Sequence, residues 1–234
     1  MRTVVLMPTF NERELIYSSV EKVLQANQEL DIIVIDDSSP DGTGVIADKI
    51  AAAEPRVSVI HRKQKQGLGR AYAQGFQVAI ERGYERVVQM DADGSHQASD
   101  LQKLLGDSAD LVIGSRWVSG GEVLNWPSHR LWISRAGNAF ARFAIGSELK
   151  DVTAGYRNYS AQLLARLPLE RIQAHGYGFQ VEMTKLALAE GASVIEVPIS
   201  FVEREGGRSK MTLGIIFEAF ALCTKWLLQR LAKR

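Results

Sequence analysis

Short β-branched runs recur through the first half of this sequence, and each is followed by a stretch with helical periodicity. The runs are Val4 to Met7, Asp31-Ile32-Ile33-Val34-Ile35-Asp36, Val57 to Ile60, Arg86-Val87-Val88-Gln89-Met90-Asp91 and Asp110-Leu111-Val112-Ile113-Gly114. Between them, Ile16, Val20, Val23 and Leu24 form one stripe at helical spacing, and Ala71, Phe76, Ala79 and Ile80 contribute to another. Strands that read as buried on both faces and alternate with helices predict an α/β fold with a mostly parallel central sheet and helices on both faces. In such sheets ligands bind outside the carboxyl ends of the strands, so the strand-to-loop junctions are where chemistry is sought.

The second half is less regular. Residues 115–130 read as a Gly-, Ser- and Trp-rich loop, 130–145 and about 180–189 as helices, and Val194 to Val202 as a strand. With 234 residues and no repeat or linker, residues 1–212 read as one catalytic domain and residues 213–234 as an amphipathic C-terminal helix. A single cysteine, Cys223, excludes an internal disulfide framework, and a net charge of +1 argues against nucleic acid as a partner. The first apolar run is too short for a signal-peptide core, and no uninterrupted stretch reaches the ~18 residues of a membrane span. The expectation is a protein made in the cytoplasm that stays there or lies on a membrane facing it.

Three junctions carry polar residues. Pro8-Thr9-Phe10-Asn11-Glu12 follows the first strand, Asp36-Asp37-Ser38-Ser39-Pro40-Asp41-Gly42-Thr43 the second, and Asp91-Ala92-Asp93-Gly94-Ser95-His96 the fourth. Alone, Asp91 and Asp93 would read as a turn, with Asp93-Gly94 bonding locally. After a buried strand and beside the other two loops, the pair reads as a site for a hard cation such as Mg²⁺ or Mn²⁺, which takes oxygen ligands and keeps places for phosphate. Asp41 and Thr43 suit a helix cap. Capping does not explain Asp36 and Asp37, and an exposed carboxylate there would suit a nucleobase or ribose. Glu12 divides between stabilising a helix dipole and binding ribose.

Cations complete the pattern. Arg116 follows Gly114-Ser115; Arg130, Ser134 and Asn138 share one helix face; Arg204 and Lys210 flank the loop that contains Gly206-Gly207-Arg208-Ser209. Carboxylates for a metal together with several cations suit a ligand bearing two phosphates. For Arg135 and Arg142 a solvated charged face is the competing reading. The histidines show no metal-ligand spacing, and no nucleophile elbow or Walker-type phosphate loop is present, which argues against hydrolase and ATPase chemistry. Leu213, Ile216, Phe217, Phe220, Leu227, Leu228 and Leu231 form a broad apolar face on the last helix, with Arg230, Lys233 and Arg234 at its end. That face either covers the core or lies on an anionic lipid surface with Trp226 at the boundary. Trp126, Trp132 and Phe140 would supply a second apolar contact.

The junction motifs, together with Asp151-Val152-Thr153-Ala154-Gly155-Tyr156-Arg157 and Val197-Pro198-Ile199-Ser200-Phe201, occur in an order that resembles the dolichol-phosphate (polyprenol-phosphate) mannose synthases. These are family-2 glycosyltransferases of the GT-A fold, and the resemblance is to their short type without transmembrane helices. It implies GDP-mannose as donor, a membrane polyprenyl or dolichyl phosphate as acceptor, Mg²⁺ or Mn²⁺ as cofactor, and inversion at the anomeric carbon. It places Pro8, Phe10, Asn11, Glu12, Ile35 and Asp37 around the guanosine, and Asp91, Ala92 and Asp93 at the metal and diphosphate. Arg204 and Lys210 would close over the donor, and Arg116, Arg130 and Ser134 would hold the acceptor phosphate. Asp93, Arg116 and Arg130 are then the residues expected to carry catalysis. Phe10 stands where many members have Tyr, and Ser95 where some place a Gln near the metal. No obligate protein partner is evident. A polyprenyl-phosphate glucose synthase is the alternative within the class; a sugar-nucleotide pyrophosphorylase and a non-catalytic lipid-surface adaptor are alternatives outside it. No general base is required, because a phosphate monoester with its second pKa at ~6 is already ionised at pH 7.

Overall fold

The computed structural model describes residues 1–174, 176, 178–203 and 213–232. Its first half follows the expected alternation: β1 (Thr3–Thr9), α1 (Ile16–Ala26), β2 (Leu30–Asp36), α2 (Thr43–Ala53), β3 (Val57–His61), α3 (Leu68–Glu81) and β4 (Arg86–Gln89). Then come α4 (Leu101–Leu105), β5 (Leu111–Ser115), β6 (Glu122–Leu124), α5 (Ser128–Ile145), β7 (Arg157–Ser160), α6 (Ala161–Arg166), α7 (Gly178–Ala189), β8 (Val194–Pro198), β9 (Ser200–Val202) and α8 (Leu213–Leu231). The main sheet has seven strands in the order β3-β2-β1-β4-β7-β5-β8. Every pairing in it is parallel except those of β7, which runs antiparallel between β4 and β5.

Strand alternation sorts the core into two layers. Val4, Leu6, Ile33 and Ile35 face Tyr72, Phe76, Leu163, Phe179 and Met183 of α3, α6 and α7. Val5, Met7, Ile32 and Val34 face Ile16, Val20, Ala47 and Leu101 of α1, α2 and α4. A third, smaller cluster joins Ala141 and Ala144 of α5, Val181 of α7, and Cys223 and Trp226 of α8. The Cys223 thiol is buried there, and its pKa is pushed up to about 11.

Three sequence expectations need correction. The fourth strand ends at Gln89 rather than Asp91. The expected strand from Val194 to Val202 divides at Pro198 and Ile199: β8 pairs with β5, while β9 pairs with β6 in a separate two-stranded sheet. Residues 115–130 therefore hold β6 as well as loop. Strand β7, Arg-Asn-Tyr-Ser, was not anticipated because it has no apolar run. Its polar side chains are instead satisfied inside the protein: Arg157 donates to the Ala154 and Val152 carbonyls at 2.7 and 2.9 Å, and Asn158 to the Leu104 carbonyl at 2.8 Å.

Candidate active site

At the carboxyl edge of the sheet the first two loops are tied to one another. Asn11 has φ 57, a left-handed conformation that Asn tolerates better than most residues, and its N–H donates to Ser39 Oγ at 3.1 Å. The Glu12 N–H donates to Thr43 Oγ1 at 3.0 Å, and that hydroxyl donates to Asp41 Oδ1 at 2.6 Å. Burial tends to raise the Asp41 carboxyl, but hydrogen bonds from Thr43 and Arg13 outweigh it and hold the pKa below its ordinary value. The cap position of α2 is Gly42, with φ 89 and no side-chain cap bond, rather than Asp41 or Thr43; Asp41 instead accepts from the Thr43 N–H at 3.0 Å as well as from its hydroxyl, and Glu12 is drawn into the same buried cluster.

Asp37 departs from expectation. It is 5% exposed, and its carboxylate pairs with Arg62, whose other nitrogens donate to Gln74 and Gln66 at 3.1 and 3.0 Å. Burial raises the Asp37 pKa against the attraction of Arg62. An open carboxylate awaiting a base is therefore not what the fold presents; Asp37 and Arg62 form one buried unit, with a donor fork beside the acceptor. Ile35 is fully buried in the core, so its side chain reaches no pocket surface. Pro8 and Phe10 are part-exposed, and the Lys65 ammonium lies 3.7 Å from the centre of the Phe10 ring.

The Asp91-Ala92-Asp93 loop follows the end of β4. Asp91 Oδ1 accepts from Tyr72 Oη at 3.3 Å, and the Asp91 N–H donates to His96 Nδ1 at 3.0 Å. That bond requires an unprotonated Nδ1, and burial lowers the His96 pKa despite the nearby Asp91 and Asp93 charges. His96 is therefore a neutral prop for the loop. Burial, reinforced by Asp91, holds the Tyr72 hydroxyl well above its ordinary pKa, so it remains a donor. Asp93 Oδ1 accepts from the Ser95 N–H at 3.1 Å and from its hydroxyl at 2.6 Å, while the Ala92 carbonyl accepts from Ser19 Oγ at 2.8 Å. Ser95 thus orients Asp93. No group of three or more His, Cys, Asp or Glu side chains suited to a metal occurs among the described residues. Two carboxylates with internal hydrogen bonds fit a hard cation that takes its remaining oxygens from a bound diphosphate.

The expected acceptor arginines occupy the same end of the sheet but are already paired. Arg116 forms a two-pronged bond with Asp151, Nε at 2.7 Å and Nη2 at 2.9 Å, and also donates to Thr153 Oγ1 at 2.8 Å. Burial tends to raise the Asp151 pKa, but Arg116 outweighs it and the value lies below normal. Arg130 pairs with Glu203 and stacks over Trp126 at 4.0 Å. Phe201 links these groups to the acidic loop. Its ring centre is 5.5 Å from those of His96 and Trp126, and 5.5 Å from the Arg116 guanidinium carbon. Ser134 lies on α5, one turn beyond Arg130 and part-buried, whereas Asn138 is tied to the Lys150 carbonyl and the Val152 N–H. Arg204 and Lys210 lie outside the described residues.

Sequence reasoning missed Arg62, Tyr72, Asp151 and the supporting role of His96. Asp151 stands inside a motif that was recognised, so a signal for it existed. Arg62 and Tyr72 carry none, because their partners lie 25 and 19 residues away.

The family model described as glycosyl transferase family 2 matches residues 4–167. An undecaprenyl-phosphate mannosyltransferase of Micrococcus luteus is 50% identical over 228 residues, covering 97% of this chain and 94% of that protein. Among solved structures, glucosyl-3-phosphoglycerate synthase of Mycobacterium tuberculosis, in complex with Mn²⁺, UDP and phosphoglyceric acid, superposes with a TM-score of 0.72 at 20% identity, covering 97% of this chain and 78% of that one. The mannosyltransferase PcManGT of Pyrobaculum calidifontis, in complex with GDP-Man and Mn²⁺, gives 0.61 at 20% identity over 96% and 64%. The parallel sheet, the acidic loop at its carboxyl edge and these similarities converge: the chain has the GT-A fold and belongs to glycosyl transferase family 2, in its polyprenyl-phosphate mannosyltransferase branch.

Proposed function

We propose that the chain transfers mannose from GDP-mannose to a polyprenyl phosphate, with inversion, at the cytoplasmic face of a membrane. The observation that carries this reading is the juxtaposition, through Phe201, of a two-carboxylate loop and two arginines at one sheet edge. The identity with the Micrococcus mannosyltransferase across nearly the whole chain supports the acceptor class and the sugar. The GDP-Man and Mn²⁺ bound by a structural neighbour make the donor and metal reasonable for this fold.

Asp91 and Asp93 would hold Mg²⁺ or Mn²⁺, which when bound neutralises the diphosphate and favours its departure. Tyr72, His96 and Ser95 fix those carboxylates beforehand, so little reorganisation remains for the reaction. Asp37 would reach the base edge only by loosening its buried pair with Arg62, and Phe10 offers a stacking face once Lys65 moves aside. The acceptor phosphate is ionised at neutral pH and needs cations more than a base. Arg130 can supply one by exchanging Glu203 for phosphate, since that pair is roughly one-third exposed. Arg116 stays with Asp151 and presents its remaining edge. Inversion follows from a single displacement, with the acceptor oxygen attacking opposite the departing diphosphate.

Membrane contact is read from two helices. Trp132 and Ile133 of α5 and Phe217, Phe220 and Leu228 of α8 are all more than half exposed, and Phe140 stacks on Phe220 at 4.8 Å to join the two helices. No helix among the described residues is long and apolar enough to cross a membrane.

A donor panel with polyprenyl phosphate and Mn²⁺ tests the reading. GDP-mannose should be consumed with GDP released, and Asp93→Ala should lower the rate on the order of 10²–10³-fold without unfolding. Preferential use of a glucose donor would replace the mannose assignment, and full activity of Asp93→Ala in chelator would remove the metal role.

A further inference from the structure

Beside the loop that follows β5, and apart from the acidic loop, lies an open cavity of about 360 Å³ lined by Trp117, Arg135, Asn138, Ala139, Arg142 and Lys150. Residues 135, 138, 139 and 142 follow the i, i+3, i+4, i+7 spacing, so one face of α5 forms its wall. Three of the lining residues are cations, and none of them forms an ion pair among the described residues. The nearby carboxylates are engaged elsewhere. Asp151 is held by Arg116, and Glu196 accepts the N–H groups of Lys150 and Asp151 at 2.6 and 2.8 Å; Glu148 offers Arg142 only its carbonyl, at 3.3 Å.

The decisive feature is a pair of orphaned donors. Trp117 Nε1 and Arg142 Nε are both buried and have no hydrogen-bond partner, and both belong to residues lining this one cavity. A buried donor left unmade is costly, and two such donors among three cations call for an acceptor bearing negative charge. The Arg135 guanidinium already stacks on the Trp117 ring at 4.9 Å, which holds both side chains in place. Arg130 and Ser134 do not line this cavity, but Asn138 shares their helix face and the Arg116 guanidinium lies 5.2 Å from the centre of the Trp117 ring, so the cavity adjoins the acceptor arm proposed above without using its residues.

We propose that this cavity is a second phosphate-binding site, in which Trp117, Arg135, Arg142 and Lys150 donate hydrogen bonds to the oxygens of a phosphate group. The exposed Trp132 and Phe143 flank the cavity stripe along α5, which suits a phosphate carried on a lipid as well as one free in solution. The site does not depend on which sugar or donor the enzyme uses.

Two probes separate the sources. Inorganic phosphate is titrated while indole fluorescence is followed, and co-sedimentation is measured with phosphatidylglycerol vesicles against phosphatidylcholine vesicles. Arg135→Gln/Arg142→Gln should weaken binding of whichever probe the wild type takes by at least about tenfold. Lys49→Gln/Lys63→Gln, which removes equal charge from exposed positions elsewhere, should leave the phosphate titration unchanged. Trp117→Phe, which keeps charge and ring but removes the indole N–H, should weaken the same probe several-fold and guards against misfolding of the double variant. A response to phosphate alone identifies a free anion, and a response to phosphatidylglycerol vesicles alone identifies a lipid headgroup. Binding of both probes unchanged in the double variant and in Trp117→Phe, or no binding of either probe by the wild type, overturns the proposal.

Discussion

Asp151 shows how a charge inside the protein makes its stability depend on pH. It is fully buried and bound by both prongs of Arg116, and its folded pKa lies below the ordinary value of 3.8. A carboxyl depressed in the folded state contributes stability that is present above 3.8 and lost as pH falls through the lower folded value. Asp37 has the opposite sign, because its raised pKa makes its charged form a cost once pH exceeds that value. Asp151→Asn should cost about 3–5 kcal/mol at pH 7 by stranding Arg116. It should also flatten the decline in stability below pH 4, as urea titrations from pH 7 to 2.5 would show; an unchanged acid limb would count against the pair. At this scale the sequence was half legible. Asp91 and Asp93 lie just beyond β4 and Arg116 just beyond β5, as strand position suggested, while the roles given to them remain our proposal. Their partners Tyr72 and Asp151 could not be paired with them from spacing, since contact across the fold decides that.

Helices and strands were more legible where one period dominated. β1 and β2 are apolar through their centres, Val4 to Met7 and Ile32 to Ile35, and read as central strands. β7 was hidden because buried hydrogen bonds substitute for apolar side chains, and the break between β8 and β9 because the pattern continues across Pro198 although the pairing does not. α3 sits so close to α7 that a Cβ on Gly69 would lie 2.5 Å from the Ala174 carbonyl and 3.0 Å from the Phe179 ring. Gly69→Ala gains about 1 kcal/mol of helix propensity but should still lose stability, since overpacking costs about 1–3 kcal/mol or more against rigid backbone. A melting temperature at or above wild type would refute that account. α8 packs one face on the core and leaves another exposed, and only the first of these settles part of the choice between core and membrane. Trp226, expected at a lipid boundary, is instead 5% exposed in the cluster with Ala141 and Val181. Trp226→Ala should cost about 3–5 kcal/mol. Phe217→Ser, at a side chain 69% exposed, should stay within about 0.5 kcal/mol yet weaken vesicle binding. Equal effects of both substitutions on melting would contradict the division.

For the molecule as a whole, the α/β layering followed from strand order and periodicity, and the two apolar layers fall where alternation puts them. The division into residues 1–212 and 213–234 remains our proposal; the packing of α8 on α5 and α7 ties the last helix firmly to the rest. Binding of donor to the folded state alone should raise stability by about 2.7 kcal/mol at a hundredfold excess over Kd. With GDP-mannose this gain should need Mn²⁺ or Mg²⁺ and vanish in Asp93→Ala; a metal-independent gain in calorimetry would move the donor away from the acidic loop.

The antiparallel insertion of β7 has a consequence for the order in which the protein can be assembled. As the chain leaves the ribosome, β1 to β4 can pair among themselves once residue 89 has emerged. β4 then ends that half-sheet as an open edge, while α4, β5, β6 and α5 are synthesised beyond it. Only when Arg157–Ser160 returns can the gap between β4 and β5 be filled. Nascent chains between those lengths expose a β-branched edge beside the Asp91-Ala92-Asp93 loop. The seam beside the acidic loop therefore closes late in synthesis, and until then its edge is open to pairing with the wrong neighbour.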